Sequence, residues 1–384
     1  AQNIANTINN VFNVVFIALG DSVAIVVGQL LGAGNMKKAR DTDNKMIAFS
    51  VFCCTIVALA MLVLAPLFPN LYNTNAEARE LAKYFIDVRG CGNRNYFLEE
   101  MKQKDVKRIF PELNDYRPEY SQSHLPVRKQ RTAEGHAVRA VYMYAAMADI
   151  AAEYDDEELL GACETLWNNM VHRRMYVTGG IGSSGILERF TADYDLPNDY
   201  NYCESCASIG LAFFARRMMQ ITKKAKYVEV MERALYNTVL AGIAMDGKSF
   251  FYVNPLEVWP PSCMERTSKE HVKSVRQKWF GVACCPANIS RTLASLGEYI
   301  YACEKDTIYV NLFIGNETQI TVGEQKVHLS LETDFPWKNQ FKINVSGVKE
   351  SVQLAVRIPE YAQDYKIFCE GREQFYKEKD GYAY

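Results

Sequence analysis

Three cysteines and one glutamate could bind a metal ion in this chain. Glu204 and Cys206 lie two residues apart, and Cys284 is followed directly by Cys285 and Pro286. Three thiolates and one carboxylate suit a tetrahedral zinc ion. Proline is common in the first turn of a helix, where the helix dipole favours a thiolate over a thiol. The sequence therefore predicts a zinc site whose paired sulfurs include a reactive one.

The same residues permit two other interpretations. Cysteine is among the most buried residue types, so inert core thiols are an alternative, and a purely structural zinc site is another. Residues two apart on a helix point about 200° apart. Glu204 and Cys206 can therefore face one ion only if they lie at a helix start or in a loop.

Composition limits the classes of partner. The 384 residues suffice for two or three domains, and a net charge of −2 with interspersed charges argues against a nucleic-acid partner. Small molecules or carbohydrates are favoured instead. Eleven cysteines without regular spacing do not form a disulfide pattern, and no segment reads as a signal peptide. We expect a reducing, cytoplasmic location for the part that carries the cysteine site.

Two apolar runs near the N-terminus predict membrane helices. Residues 11–33 contain one charge, at Asp21, and residues 46–68 contain none. Each run is long enough to span a bilayer, and the basic loop between them would face the cytoplasm. A pair of buried core helices is the alternative. The sequence predicts membrane association through residues 11–68, and a membrane location if this segment is genuine.

Two motifs of this segment, GQLLGAG at 28–34 and LYNT at 71–74, are similar to those of multidrug and toxic compound extrusion transporters. The resemblance covers about residues 1–80. Two helices cannot form the substrate path of such a many-helix protein, so we do not expect transport activity.

The periodicity of apolar residues changes along the rest of the chain. A helical spacing predicts helices at 81–85, 137–154, 158–171, 207–221 and 227–243. After about Cys303 the period becomes two, which predicts strands at 308–313, 319–322, 327–331, 341–345 and 352–356. We expect antiparallel helices followed by a β-sandwich fragment.

A Gly-x-Gly-x-x-Gly motif at 180–185 formally matches a dinucleotide fingerprint. No helix pattern opens after it, so a flexible loop that brings Glu188 to a pocket is the better interpretation. Retaining glycosidases use a proton donor and a nucleophile on either side of the sugar. A zinc-bound Cys284 thiolate could be the nucleophile, and Glu188 with a raised pKa could donate the proton.

Several longer motifs resemble, in content and order, glycoside hydrolase family 127. They are GHAVRA at 135–140, RMYVTGGIG at 174–182, DLPND at 195–199, ESCAS at 204–208, FYVNPL at 251–256 and CCPAN at 284–288. The resemblance covers about residues 78–384. It implies a retaining β-L-arabinofuranosidase with an (α/α)6 barrel followed by β-sandwich domains, acting on an arabinose-containing oligosaccharide or glycoconjugate.

The resemblance also implies a role for each site residue. The zinc ligands would be Glu204, Cys206, Cys284 and Cys285. Cys284 would also attack the anomeric carbon, and Glu188 would be the general acid and base. His136 and Tyr252 would line the sugar pocket. Taken alone, a histidine on an apolar helix and a tyrosine in an apolar run are more often ordinary core residues.

The periodicity and the two resemblances together imply a mainly α chain in three parts. Residues 1–77 would be two membrane-type helices resembling a transporter fragment, residues 78–304 a partial (α/α)6 barrel, and residues 305–384 an antiparallel β-sandwich fragment. Transporter-like sequence stands where the family has its first barrel helices. The alternative function is therefore an inactive chimeric or truncated chain that keeps the zinc site.

Overall fold

The computed structural model describes residues 22–23, 25–31, 33–64, 76–92, 99, 102, 117–282 and 284–384. The chain divides into two compact units, Ala1–Tyr84 and Phe85–Tyr384.

The two predicted membrane helices find no support in the described residues. Much of the first run, residues 11–33, lies outside them, as do residues 65–68 of the second. The rest of the second run belongs to a longer helix, α1 (Met36–Leu64), whose first ten residues include six charged side chains. Within the described ranges, no helix is long and apolar enough to cross a membrane. The predicted membrane association through residues 11–68 is likewise unsupported.

The helical part of the second unit consists of hairpins with short connections. The described helices after α1 are α2 (Ala76–Val88), α3 (Ala137–Glu153), α4 (Glu157–Arg173), α5 (Ser205–Thr222), α6 (Ala225–Ala234), α7 (Cys284–Ala294) and α8 (Gly297–Ile300). A π-helical turn, Leu235–Leu240, continues α6. Only three residues connect α3 to α4, and only two connect α5 to α6. Such short connections make the joined helices antiparallel neighbours. Helices close to the predicted ranges are thus confirmed.

Alternate helices pack against one another and begin at the candidate site. Helix α3 contacts α5, and α5 contacts α7. Large aromatic side chains fill the core between the hairpins, with the Trp167 and Tyr227 rings 4.7 Å apart and Phe214 beside Trp167. The long connections between hairpins carry Glu188 and Tyr252. The fold therefore places site residues at helix starts and on the loops beside them.

Close packing of α3 against α5 depends on Gly210. A Cβ atom at this position would lie 2.4 Å from Val141 Cγ2 and 2.9 Å from the Tyr142 ring. We expect Gly210→Ala to lower the free energy of unfolding by about 1–3 kcal/mol, because an overpacked core must shift its backbone. Gly161→Ala on α4 is the control, since nothing lies within 4 Å of its new Cβ. It should stabilise the helix by about 0.5–1 kcal/mol, and equal urea midpoints for both variants would contradict this account.

Strands follow the helices and form three sheets in the described residues. They are β1 (Tyr301–Glu304), β2 (Thr307–Val310), β3 (Asn316–Val322), β4 (Gln325–Thr333), β5 (Phe341–Ser346), β6 (Gln353–Arg357), β7 (Phe368–Cys369), β8 (Arg372–Glu373), β9 (Glu378–Lys379) and β10 (Tyr382–Ala383). The order of the strands within the three sheets is β1-β2-β6-β10-β9, β3-β4-β5 and β7-β8. Strands β2 and β6 are parallel, with Ile308 opposite Leu354. The expectation of a wholly antiparallel fragment is therefore wrong at this pair, because β6 reaches β2 by a long crossover through the second sheet.

The two larger sheets pack face to face. Ile308 of the first sheet shares a buried cluster with Val322, Val327 and Leu329 of the second. Alternate residues of β4 are buried, as expected for a strand with one face in a core. A sandwich-like arrangement after the helices is confirmed.

Candidate active site

Four potential metal-ligand side chains meet at one point. The ligand atoms of Glu204, Cys206, Cys284 and Cys285 all lie within 4.8 Å of one another. The Cys206 and Cys285 sulfurs are 3.3 Å apart, and the Cys284 and Cys285 sulfurs are 4.0 Å apart. Glu204 Oε1 lies 3.6 Å from Cys284 Sγ and 3.5 Å from Cys285 Sγ. The arrangement could hold a metal ion.

The start of α5 explains how Glu204 and Cys206 face the same point. Glu204 is the N-cap residue, with an extended backbone and no side-chain capping bond, so its carboxylate is free to turn toward the sulfurs. Cys206 lies in the first helical turn. The predicted helix start is confirmed, and the 200° separation of an internal pair does not apply.

A neighbouring strand-like segment fixes the position of Glu204. The Ser205 N–H donates to the Tyr252 carbonyl at 3.0 Å, and Glu204 forms a β-bridge with Val253. The Asn254 amide donates to the Cys203 carbonyl at 2.9 Å and to Ser205 Oγ at 3.1 Å. These bonds bring Tyr252 beside the cluster.

Helix starts surround the cluster with partial positive charge. Cys284 and Cys285 are the first two residues of α7, as predicted, and α5 starts beside them. His136 is the N-cap of α3. Exposed N–H groups at helix starts favour anions. The helix starts therefore act against the burial of the cluster, which disfavours ionised groups.

A strained loop delivers Glu188 to the same region. Leu187 and Glu188 both have positive φ, 58° and 51°, which non-glycine residues adopt at a cost. Pairing of Arg189 with Ser184 and His136 holds this loop against the start of α3. The motif at 180–185 leads only into a short 3-10 turn, Ile186–Glu188. The loop interpretation is confirmed over the dinucleotide fingerprint.

Two donors hold the Glu188 carboxylate. His136 Nε2 lies 2.9 Å from Glu188 Oε2, and the Tyr202 hydroxyl donates to Oε1 at 2.7 Å. His136 Nδ1 accepts the Arg139 backbone N–H at 3.3 Å. Because Nδ1 accepts a hydrogen bond, Nε2 is the ring nitrogen that donates to Glu188.

A chain of contacts joins Glu188 to Cys284. The Tyr202 ring meets the Tyr252 ring edge-on, with centroids 6.2 Å apart. The Tyr252 hydroxyl lies 3.0 Å from Cys284 Sγ. Cys284 is exposed, whereas Cys285 is fully buried. A carboxyl group and one accessible sulfur thus lie on two sides of the Tyr202 and Tyr252 pair.

Hydrogen bonding and burial separate the pKa values of the site. The hydrogen bond from His136 lowers the pKa of Glu188, with a further contribution from Tyr202 that acts against burial. The expectation of a raised pKa for Glu188 is therefore wrong, because both of its oxygens accept hydrogen bonds. Burial raises the pKa of Glu204 to about 8. Hydrogen bonds from Cys206 and Cys285 lower the pKa of Cys284.

All of the predicted site residues lie in or beside this region. Sequence reasoning missed Tyr202, which binds Glu188, and Asn254, which ties the start of α5 to the strand-like segment. Tyr202 lies only two residues before Glu204, but nothing in the sequence indicates that its hydroxyl reaches Glu188. Asn254 lies within the FYVNPL motif, and its role depends on a contact 51 residues away.

The chain belongs to the glycoside hydrolase family 127 of β-L-arabinofuranosidases. The model of the family's catalytic domain matches residues 67–298, and that of its middle domain matches residues 307–384. The resemblance stated from the motifs is confirmed. A MatE family model also matches residues 1–100, where it overlaps the start of the catalytic match.

A curated protein and two solved structures are similar to this chain. A non-reducing end β-L-arabinofuranosidase of Bifidobacterium longum is 39% identical over 325 residues, which cover 82% of this chain and 48% of the relative. The crystal structure of a GH127 β-L-arabinofuranosidase from Geobacillus stearothermophilus T6 has 46% identity and a TM-score of 0.76, covering 83% of this chain and 50% of that one. A GH127 β-arabinofuranosidase structure has 34% identity and a TM-score of 0.69, covering 82% and 48%. The chain thus spans about half the length of these relatives.

Proposed function

We propose that this chain carries the active site of a retaining glycosidase that releases terminal β-L-arabinofuranosyl groups from arabinose-containing oligosaccharides or glycoconjugates. The observation that carries the proposal is the contact chain from Glu188 through Tyr202 and Tyr252 to Cys284. It brings a carboxyl group and an accessible sulfur into one site. The names of the relatives supply the substrate class.

The donor set fits zinc. A Zn–S distance of about 2.3 Å and tetrahedral angles require sulfurs about 3.8 Å apart and sulfur–oxygen pairs about 3.6 Å apart. Two of the three sulfur pairs are 3.3 and 4.0 Å apart, two of the three sulfur–oxygen pairs are 3.5 and 3.6 Å apart, and all ligand atoms lie within 4.8 Å of one another. Glu204, Cys206, Cys284 and Cys285 would hold the ion. When bound, zinc would keep the thiols deprotonated at neutral pH and neutralise the buried carboxylate.

Cys284 and Glu188 would act in two successive displacements. The Cys284 sulfur attacks the anomeric carbon, the bond from that carbon to the leaving oxygen breaks, and Glu188 gives its proton to that oxygen. A water molecule then attacks the same carbon while Glu188 takes its proton, and the carbon–sulfur bond breaks. Two inversions at one carbon return the starting configuration. When the Cys284 sulfur is ionised, the Tyr252 hydroxyl would donate a hydrogen bond to it. This bond would stabilise the sulfur both as the nucleophile of the first step and as the leaving group of the second.

The hydrogen bonds to Glu188 bear on the pH range of the reaction. A lowered pKa favours the carboxylate form of Glu188, which suits the base of the second step. The first step needs the protonated form. Activity in kcat/KM should therefore fall as pH rises through the pKa of Glu188. His136 and Tyr202 set that pH.

Removing the Tyr202 hydroxyl should move the alkaline limb of the pH profile of kcat/KM. Tyr202→Phe deletes a donor to the ionised carboxylate and thereby raises the pKa of Glu188. A hydrogen bond to a charged group is worth about 1.5–3 kcal/mol, which corresponds to about one to two pH units. The alkaline limb of kcat/KM is expected to shift to higher pH by that amount. Tyr200→Phe is the control, since the Tyr200 ring also contacts His271 but its hydroxyl is not one of the two donors to Glu188. It should leave the limb in place, and a downward shift in Tyr202→Phe would contradict the assignment.

Release of arabinose tests the proposed activity directly. The 384-residue chain, loaded with zinc, is given an aryl β-L-arabinofuranoside and, as control, the α-anomer. We expect turnover of the β-anomer only, with β-arabinose as the first product seen by proton NMR. First release of α-arabinose would contradict the double displacement. Zinc bound without turnover of either anomer would instead favour an inactive chimeric or truncated chain.

A further inference from the structure

One buried arginine connects two segments of the candidate active site. Arg174 is the first residue of the RMYVTGGIG motif and the C-cap of α4, and only 7% of its surface is exposed. Its Nη1 donates to the Ala133 carbonyl at 2.6 Å, and its Nε donates to Asp193 Oδ1 at 2.7 Å. One guanidinium group therefore bonds both to the segment that leads into His136 and to the loop that follows Glu188.

Asn169, in the last turn of α4, bonds to the same two segments. Its Oδ1 accepts the Ala133 N–H at 2.9 Å, and its Nδ2 donates to Asp193 Oδ1 at 2.9 Å. Both polar groups of the buried Ala133 backbone are thus bonded to side chains at the end of α4. Hydrogen bonds between a guanidinium group and a carboxylate have preferred directions, so they fix orientation as well as distance. The end of α4 is therefore an anchor for both segments.

Beyond this anchor the two segments pair with each other as far as the Glu188 carboxylate. The Phe190 N–H donates to the Gly135 carbonyl at 2.9 Å, and His136 forms a β-bridge with Arg189. The pairing ends in the contact between His136 Nε2 and Glu188 Oε2 at 2.9 Å. A displacement of either segment at the anchor would therefore change the distance between these two side chains.

We propose that Arg174 is a positioning residue for Glu188: it holds the two segments at the spacing that the hydrogen bond between His136 and Glu188 requires. The inference rests on the proposed acid and base role of Glu188. It requires no contact between Arg174 and the sugar. The neighbouring Arg173 offers a comparison, since it bonds to Asp193 Oδ2 at 3.0 Å from a half-exposed position. Among the described residues, no hydrogen bond joins the Arg173 side chain to residues 133–136.

The test is the pH profile of kcat/KM for Arg174→Lys on an aryl β-L-arabinofuranoside. Lysine keeps the positive charge but lacks the planar fork that reaches two acceptors in fixed directions. A weaker hydrogen bond from His136 raises the pKa of Glu188. The alkaline limb should therefore shift to higher pH by about 0.5–1 unit, less than complete loss of a hydrogen bond to a charged group would give. We expect kcat to fall about 10- to 100-fold through misplacement of Glu188, with KM within about threefold of wild type.

Arg173→Lys is the matched control, because it makes the same substitution at the neighbouring residue. It should leave the limb within about 0.2 pH unit and kcat within about twofold of wild type, as expected for a half-exposed ion pair. Glu188 bonds to the His136 ring and the Tyr202 hydroxyl, and the charge of Cys284 acts on its pKa. Both lysine variants keep these groups and the total charge. A shift of the limb in Arg174→Lys alone would therefore come from changed geometry.

Exchange of the His136 Nε2 proton with water gives a readout that needs neither turnover nor zinc. The proton is followed by ¹⁵N NMR and assigned by its loss in His136→Gln. Its hydrogen bond to Glu188 protects it from exchange. Exchange should be about 10-fold faster in Arg174→Lys and within about twofold of wild type in Arg173→Lys, because a bond that is held less firmly opens more often.

Asn169→Ala decides the question if Arg174→Lys does not fold. It removes the acceptor of the Ala133 N–H and one donor to Asp193 without a change of charge. The limb and the exchange rate should move in the same directions as those expected for Arg174→Lys. If neither variant folds, these bonds are needed for the fold as a whole and the inference is wrong.

Failure of the inference and failure of the proposed function are distinguishable. If wild type releases arabinose but Arg174→Lys keeps the limb, kcat and exchange rate of Arg173→Lys, the positioning role fails alone. Equal changes in the two lysine variants would also overturn it, because Arg173 bonds to one segment and Arg174 to both. If wild type does not act on the β-anomer, the proposed function fails. The exchange rate then still shows whether Arg174 holds the bond between His136 and Glu188.

Discussion

The Cys284→Ala variant is expected to lose about 10⁴- to 10⁶-fold in kcat/KM on an aryl β-L-arabinofuranoside, the range seen when a catalytic nucleophile is removed. Cys284 is the exposed sulfur of the cluster and the one that touches Tyr252. Without it no covalent intermediate forms, and water alone must attack the sugar. The measurement is arabinose release per bound zinc, with the zinc content of each variant determined separately.

Normalising to bound zinc is necessary because Cys284 is also a proposed ligand. Cys285→Ala provides the matched loss of a ligand, since Cys285 is fully buried and lies on the same helix. An epoxide analogue of β-L-arabinofuranose should label wild type on Cys284, as located by fragment mass spectrometry, and should leave Cys284→Ala unlabelled. If Cys284→Ala releases arabinose, per bound zinc, at a rate within tenfold of wild type, Cys284 is not the nucleophile.

Local rules predicted much of the metal-ligand cluster. A Glu-x-Cys pair can share one ion only at a helix start, and Glu204 is indeed the N-cap of α5. Proline after Cys285 predicted the start of α7 at the paired cysteines. Each inference depends on backbone geometry within one turn. Spacing alone did not show that the Glu204–Cys206 pair and the Cys284–Cys285 pair meet at one point, because 80 residues separate Glu204 from Cys284.

Electrostatic properties were harder to predict because they depend on distant partners. The Glu188 carboxylate was expected to have a raised pKa, as burial alone would produce. His136, 52 residues earlier, and Tyr202 reverse that effect. Charge and hydrogen bonding at a site follow from contacts that periodicity does not reveal.

Two parts of the fold prediction rested on local patterns with more than one physical solution: the membrane helices, which the described residues do not support, and the antiparallel pairing of the strands, which is wrong at one pair. A run without charges is long enough for a membrane helix, yet α1 extends that run backward into a strongly charged segment. Alternation of apolar residues predicted strands correctly, but it carries no information on whether β2 and β6 are parallel. The boundaries proposed at residues 77 and 304 stay predictions.

A buried ion-pair network joins the sheet to the helices. Arg357 of β6 is fully buried and pairs with two acidic residues of α6, Glu229 at 2.6 Å and Glu232. Its Nε donates to the Asn311 carbonyl at 2.7 Å. Burial alone would lower the pKa of Arg357, but the two carboxylates outweigh it and raise the pKa. Each group of the network is tolerated inside the protein only because the others are present.

Arg357→Met should therefore destabilise the chain by about 3–5 kcal/mol, since it leaves two carboxylates buried without a counter-charge. Lys338→Met is the control: it removes an exposed pair with Asp334, which should contribute less than about 1 kcal/mol. Urea unfolding at two pH values gives a second check. The buried carboxyls of Arg357→Met would have raised pKa values, so their cost grows as pH rises above the unfolded pKa and shrinks toward acid pH.

The triple variant Arg357→Met, Glu229→Leu, Glu232→Leu separates the two sources of that loss. Removing all the charges leaves no unpaired carboxylate, and apolar side chains of similar volume can replace a buried ion network at little cost. We expect the triple variant to recover most of the stability that Arg357→Met loses. If the triple variant is as unstable as the single one, packing of Arg357 against the Phe313 ring, 5.0 Å away, and its bond to Asn311 must account for the effect. A loss below about 1 kcal/mol in Arg357→Met would mean that the network does not hold sheet and helices together.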